Sequence, residues 1–166
     1  FKAPSVIVNG PGAAKEVGAF AKGLGKKALI VTDNLLEKIG LLKDIKGSLE
    51  AAGMSFAVYD KVVAEPTMEY TEEGLKVFKE AQAELLIAVG GGSPIDAAKA
   101  ISALARNPGK MSDFLGVNKI PQMGAPLIAI PTTAGTGSEV TQFTVITDTV
   151  KNVKMLIGSP NIMPRV

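Results

Sequence analysis

Four short apolar runs constrain the fold more than any other feature of the chain. They are Ala28-Leu29-Ile30-Val31, Phe56-Ala57-Val58-Tyr59, Leu85-Leu86-Ile87-Ala88-Val89 and Leu127-Ile128-Ala129-Ile130. None alternates polar with apolar residues. A strand covered on one face alternates, because successive side chains point to opposite sides. An unbroken run is the pattern of a strand buried on both faces, as in a parallel sheet. Helical spacing fills the intervals. Ala13, Val17, Phe20 and Leu24 share one face, Leu42, Ile45, Leu49 and Ala52 another, and Leu75, Phe78 and Ala81 a third. Pro94 to Arg106 is Ala-rich, with Ala98, Ile101 and Ala105 on one stripe that lets a helix approach a sheet closely. This alternation predicts an α/β fold, a Rossmann-like parallel sheet with helices on both faces and right-handed crossovers.

The two ends differ. Ser5-Val6-Ile7-Val8-Asn9 reads as an N-terminal edge strand. Phe143 to Thr147 and Val153 to Ile157 flank the polar stretch Asp148 to Asn152, which predicts an antiparallel hairpin. Asn161 to Val166 resembles the approach to a further strand, so the chain is expected to continue. No internal repeat or interdomain linker is visible.

Composition excludes several classes. The 166 residues suffice for one domain with a real core. Eighteen Lys+Arg against sixteen Asp+Glu leave a charge of +2, with no basic run or interleaved aromatic stripe, so a nucleic-acid partner is not expected. No apolar stretch approaches the ~20 residues of a membrane span, and the start carries no signal-peptide core. The cytoplasm is the expected location. There is no cysteine and no histidine. Most zinc sites, a Ser-His-Asp triad and a Cys-His dyad therefore cannot be built within this chain.

Two loops at strand ends carry the chemistry. Gly90-Gly91-Gly92-Ser93-Pro94-Ile95-Asp96 follows the third run and opens the Ala-rich helix. Ser93 suits the N-cap, Pro94 the first helical position and Asp96 the third. Glycines allow close backbone approach, and a helix N-terminus offers free N–H groups and a positive dipole end, so the loop reads as a pyrophosphate cradle. The plain alternative is a tight turn with a good cap. Neither G-x-G-x-x-G nor a P-loop fits, since Ile95 stands where the former needs glycine. Pro131-Thr132-Thr133-Ala134-Gly135-Thr136-Gly137-Ser138-Glu139 follows the fourth run and places hydroxyls at a strand's carboxyl end. It reads either as a ligand loop or as an ST-rich cap for the next helix. Asp33 stands just after the first run, where a carboxylate can accept from both ribose hydroxyls or cap the following helix. Lys154, inside the hairpin, either reaches the cofactor or is a solvated strand lysine.

Taken together, Gly90 to Lys99 and Pro131 to Val140 closely resemble the iron-containing (group III) alcohol dehydrogenases. Leu29-Ile30-Val31-Thr32-Asp33, Glu65-Pro66-Thr67 and Val145-Ile146-Thr147-Asp148 add to the resemblance, which covers essentially the whole chain. It implies that residues 1–166 are an NAD(P)-binding domain of the dehydroquinate synthase-like N-terminal type. A C-terminal helical metal-binding domain would be absent from this chain. By match to the family pattern, Asp33 would hold the adenosine ribose, and Gly91, Gly92, Ser93, Pro94 and Ile95 the pyrophosphate. Thr132, Thr133, Ala134, Gly135 and Thr136 would lie along the cofactor, with Val145 and Lys154 near the nicotinamide end. Glu65 departs from the asparagine frequent in the family and is left out of the site.

The resemblance further implies hydride transfer between a primary alcohol or aldehyde and NAD, with NADP as the alternative. Iron or zinc would be bound by one Asp and three His outside this chain, so no catalytic residue is expected here and the fragment alone is expected to be inactive. Asp33 favours NAD, because a 2′-phosphate would meet its charge. Association into a homo-oligomer through the N-terminal edge is expected. Glycerol dehydrogenase, hydroxyacid–oxoacid transhydrogenase and, further off, dehydroquinate synthase share the implied architecture. A stand-alone nucleotide-binding module without catalysis is the reading from a different class.

Overall fold

The computed structural model describes residues 2–166. A 3-10 turn (Ala13–Glu16) leads into α1 (Val17–Lys22), β1 (Lys27–Val31), α2 (Asn34–Lys38), α3 (Lys43–Ala51), β2 (Ser55–Tyr59) and α4 (Met68–Glu80). Then follow β3 (Leu85–Gly90), α5 (Gly92–Arg106), β4 (Gly116–Val117), β5 (Leu127–Pro131), β6 (Phe143–Asp148) and β7 (Val153–Gly158). Four strands form a parallel sheet in the order β2-β1-β3-β5, with Val31 level with Ala88 and Gly90 level with Pro131.

The unbroken apolar runs follow from burial on both sides of that sheet. Leu29, Val31, Leu86 and Ala88 face Phe78 of α4 and Ala97 and Ile101 of α5. Ala28, Ile30, Leu85 and Ile87 face Val17 and Ala21 of α1 and Ile45 and Leu49 of α3. Alternating side chains thus enter two cores, and neither set can be polar.

A second sheet, ordered β4-β7-β6, contains the hairpin expected from the sequence, with Val145 opposite Leu156 and Thr147 opposite Lys154. Its inner face shares a third core with the far side of α5, where Ala100, Ala103 and Leu104 meet Ile146, Met155 and Ile157. Helix α5 therefore lies between two sheets, and every residue from Pro94 to Leu104 is buried. This is why the helix is built of alanine. A one-sided amphipathic helix would have placed larger residues on one stripe and charges on the other.

The edge-strand reading of Ser5 to Asn9 is corrected. Among the described residues this segment makes one backbone hydrogen bond, from the Val6 amide to the Arg165 carbonyl (3.1 Å). The place beside β5 is held by the last two residues instead. The Arg165 amide donates to the Leu127 carbonyl (2.7 Å) and the Ala129 amide to the Val166 carbonyl (2.9 Å). Asn161 to Val166 thus does approach the sheet as a further strand would.

Candidate dinucleotide site

The strand order reverses between β1 and β3: the chain moves from β1 outward to β2, then returns across β1 to β3 and β5. Crossovers leave the two directions of the sheet at such a point, and a crevice opens at the carboxyl ends of the strands. Asp33 stands at the end of β1 and Gly90 to Ser93 at the end of β3, on either side of that crevice.

The glycine loop is tightly turned. Gly90 has φ +151°, and a Cβ there would lie 2.6 Å from Pro94 Cγ. Helix dihedrals begin at Gly92, with Gly91 as N-cap and no side chain capping it. The expectation that Ser93 caps the helix, with Pro94 first and Asp96 third, is therefore corrected. The helix opens two residues earlier because the glycines themselves adopt the cap and first-turn geometry. The amides of Gly92 and Ser93 consequently have no intrahelical partner, and proline at the next position brings none. A helix start without a side-chain cap leaves its N–H groups and dipole end for another acceptor.

The Thr-rich loop leans over these amides. The Thr132 amide donates to the Gly90 carbonyl (2.9 Å), continuing the β3–β5 pairing. A Cβ on Gly91 would come 3.1 Å from Thr133 Oγ1, and one on Gly92 would come 3.5 Å from Ser138 Oγ and 3.6 Å from Thr136 Cβ. The two motifs picked out in the sequence are thus in direct apposition. Thr132 to Thr136 are exposed. Thr136 Oγ1 hydrogen-bonds both Glu139 Oε2 (3.2 Å) and the Ser138 amide (3.3 Å), which shapes the loop from within.

Behind this cradle sit two buried polar groups, Asp96 and Lys99, whose contacts with the second sheet the sequence reading did not include. Asp96 Oδ2 accepts from the Val145 amide (3.0 Å), and Thr144 Oγ1 donates to the Asp96 carbonyl (2.9 Å). Asp96 Oδ1 is buried without a partner. Burial raises the Asp96 carboxyl above its ordinary value, opposed by the Val145 amide, the Lys99 charge and Ser138. Lys99 is fully buried; its Nζ donates to the Phe143 carbonyl (2.7 Å) and lies 3.4 Å from Thr141 Oγ1. The signal was present as the one lysine inside the alanine stretch of α5. The stripe of Ala98, Ile101 and Ala105 marks one packed face, and nothing local marks the second sheet that covers Lys99.

Asp33 and Lys154 have partners outside the two loops. Asp33 Oδ1 accepts from the Leu36 amide (2.9 Å), so the helix-capping alternative is what the structure records for that oxygen. Lys154 is exposed on β7 and forms an ion pair with Glu65 of the loop after β2. That pairing holds the Glu65 carboxyl below its ordinary range. Thr147 Oγ1 also reaches Glu65 (3.3 Å), so the loop after β2 is tied to the second sheet across the crevice. Val145 is half-buried on β6, level with Leu156.

A cleft of about 640 Å³ lies elsewhere, around α2 and α3, and is lined by Lys15, Glu37, Asp44 and Lys46. Four of its charges are paired as Lys15–Asp44 and Lys46–Glu37. Among the described residues, no group of three or more His, Cys, Asp or Glu side chains could hold a metal ion. These residues do not fit a metal. They do fit a pyrophosphate, which needs close backbone approach, free amides and a positive field.

The family model of iron-containing alcohol dehydrogenase matches residues 4–166. The NAD-dependent methanol dehydrogenase of Bacillus methanolicus is 43% identical over 167 residues, covering 100% of this chain and 44% of the relative. The lactaldehyde reductase of Escherichia coli (strain K12) is 43% identical over 143 residues, covering 85% of this chain and 37% of the relative. A crystal structure of 1,3-propanediol oxidoreductase superposes with TM-score 0.97 at 38% identity, covering 100% of this chain and 44% of that one. The chain spans less than half the length of these relatives. With the motifs, the strand order and the family match over residues 4–166 in agreement, this chain belongs to the iron-containing alcohol dehydrogenase family.

Proposed function

We propose that residues 1–166 form the dinucleotide-binding part of an NAD-dependent oxidoreductase that moves a hydride between a small primary alcohol or aldehyde and the nicotinamide. The observation that carries this reading is the uncapped start of α5 beneath the Thr133–Thr136 loop, placed at the reversal of the strand order. The bound cofactor would supply the hydride acceptor. Gly91 to Ile95 would hold the pyrophosphate on the backbone of the helix start. Asp33 would bind the adenosine ribose through the carboxylate oxygen not engaged by the Leu36 amide. Thr132, Thr133, Ala134, Gly135 and Thr136 would line the cofactor's length, with Val145 and Lys154 toward the nicotinamide. No residue of this chain is assigned as acid or base; its part is to fix the reactive ring in position.

The wider reading includes a metal site, iron or zinc, supplied by residues outside this chain. It includes a cytoplasmic protein; no helix among the described residues is long and apolar enough to cross a membrane. Self-association at the N-terminal edge is retained as part of this proposal, with the exposed Ile7 in the contact. Calorimetric titration of NAD and NADP into the purified protein tests the binding. Saturable binding with NAD preferred is expected, and no turnover of ethanol or propanediol by residues 1–166 alone with added Fe²⁺. Metal-dependent reduction of NAD by this segment would contradict the division of labour.

A further inference from the structure

Among the described residues, Lys99 is the largest fully buried side chain that carries a charge. It sits in the third turn of α5, counted from Gly92. Helical Cα–Cβ bonds tilt toward the N-terminus, so a long side chain there runs back toward the helix start. Its ammonium accordingly reaches the Phe143 carbonyl and Thr141 Oγ1, the residues that follow the Thr-rich loop. Among the described residues no carboxylate comes within ion-pair distance of it. Asp96 on its own helix and Glu139 in the 3-10 turn after the Thr-rich loop are the acidic groups whose fields it feels. A buried ammonium without a contact counter-ion is costly, and an aliphatic side chain of the same length would fill the space without that cost. The side chain runs toward the start of α5, where the amides of Gly92 and Ser93 have no intrahelical partner.

We propose that Lys99 is the positioning residue of the dinucleotide cradle, pinning Thr141 and Phe143 to α5 and placing a buried positive charge behind the pyrophosphate, so that tight binding requires its proton. This rests on the dinucleotide reading above. Burial brings the Lys99 ammonium down to about 8, with Asp96 and Glu139 pulling it back up. A bound pyrophosphate adds negative charge on the same side and favours the protonated form. Affinity therefore falls as pH rises above about 8, by linkage. No histidine or cysteine titrates in that window to obscure the effect.

The test is calorimetric titration of NAD into the purified protein between about pH 7 and pH 9.5, on wild type and Lys99→Met. Wild type is expected to lose roughly tenfold in affinity across the range, since about one unit of upward shift on binding corresponds to a tenfold effect. Lys99→Met is expected to bind roughly tenfold more weakly at neutral pH, with a flat pH profile and an unchanged or higher thermal midpoint. Equal affinity and an equal profile in the variant would overturn the proposal. If Lys99→Met does not fold, the wild-type profile decides alone: a flat curve removes Lys99 and leaves the dinucleotide reading standing. Wild type that binds neither NAD nor NADP at any pH removes both.

Discussion

The Val145 amide donates to Asp96 Oδ2 at 3.0 Å, joining the first turns of α5 to β6 across the boundary between the two sheets. This carboxylate is one of the ties between the helix that presents the free amides and the strand that follows the Thr-rich loop, beside Thr144 Oγ1 to the Asp96 carbonyl and Lys99 to the Phe143 carbonyl. Removing it leaves a buried N–H without a partner. Asp96→Ala is expected to lower unfolding stability by about 1–3 kcal/mol in urea titrations. A variant as stable as wild type would show that the bond contributes nothing.

The same carboxyl makes stability depend on pH in a stated direction. Its folded-state value is raised above the ordinary 3.8, so its contribution is fully present below that value and is lost as pH rises through the folded value. Asp96→Asn removes the titration. The stability of wild type relative to Asp96→Asn is expected to decline as pH increases from about 3.8 upward. A constant difference across that range would mean that burial does not raise this group.

Gly92 separates fold from function. A Cβ there makes only ordinary contacts with Ser138 and Thr136, and no positive φ forbids a side chain. Gly92→Ala should fold with equal or slightly higher stability, since alanine is the better helix former. The added methyl would project beneath the Thr-rich loop, where the cofactor backbone is expected to pass. NAD affinity is expected to drop at least roughly tenfold, or about 1.4 kcal/mol. Unchanged affinity would move the pyrophosphate away from this turn.

Asp33 tests cofactor choice. Asp33→Gly costs only a few tenths of a kcal/mol as an N-cap replacement, so stability changes little. If the carboxylate also holds the ribose, NAD binding weakens as charge-assisted bonds of roughly 1.5–3 kcal/mol are lost. Repulsion of a 2′-phosphate is relieved at the same time. The NAD/NADP preference measured by calorimetry should therefore narrow or reverse. An unchanged ratio would leave Asp33 as a cap alone.

Much of this architecture was legible from local pattern. The four apolar runs became β1, β2, β3 and β5 because burial on both faces writes itself directly into composition. The hairpin was visible because β6 and β7 are adjacent in sequence and bury one face. Strand β4 was missed: Gly116–Val117 is too short to carry any period. Ser5 to Asn9 looked like a strand, yet strand formation depends on a free neighbour, and Arg165 and Val166 occupy the place beside β5. The cap at Ser93 was misplaced because serine is a good N-cap by composition, while the glycines before it adopt the required backbone without one. Lys99 and Asp96 were invisible as a pair of functional interest because their burial is created by the second sheet, which no local window reports.

The most direct test of a dinucleotide lying across the carboxyl ends of the strands is the change in backbone amide NMR shifts as NAD is added to the purified protein. The amides of Gly91, Gly92 and Ser93, of Thr132 to Thr136 and of Asp33 are expected to move together with one saturation curve. Those around Lys15, Asp44 and Lys46 should stay in place. Shifts confined to that second cleft, or none at saturating NAD and NADP, would contradict the assignment.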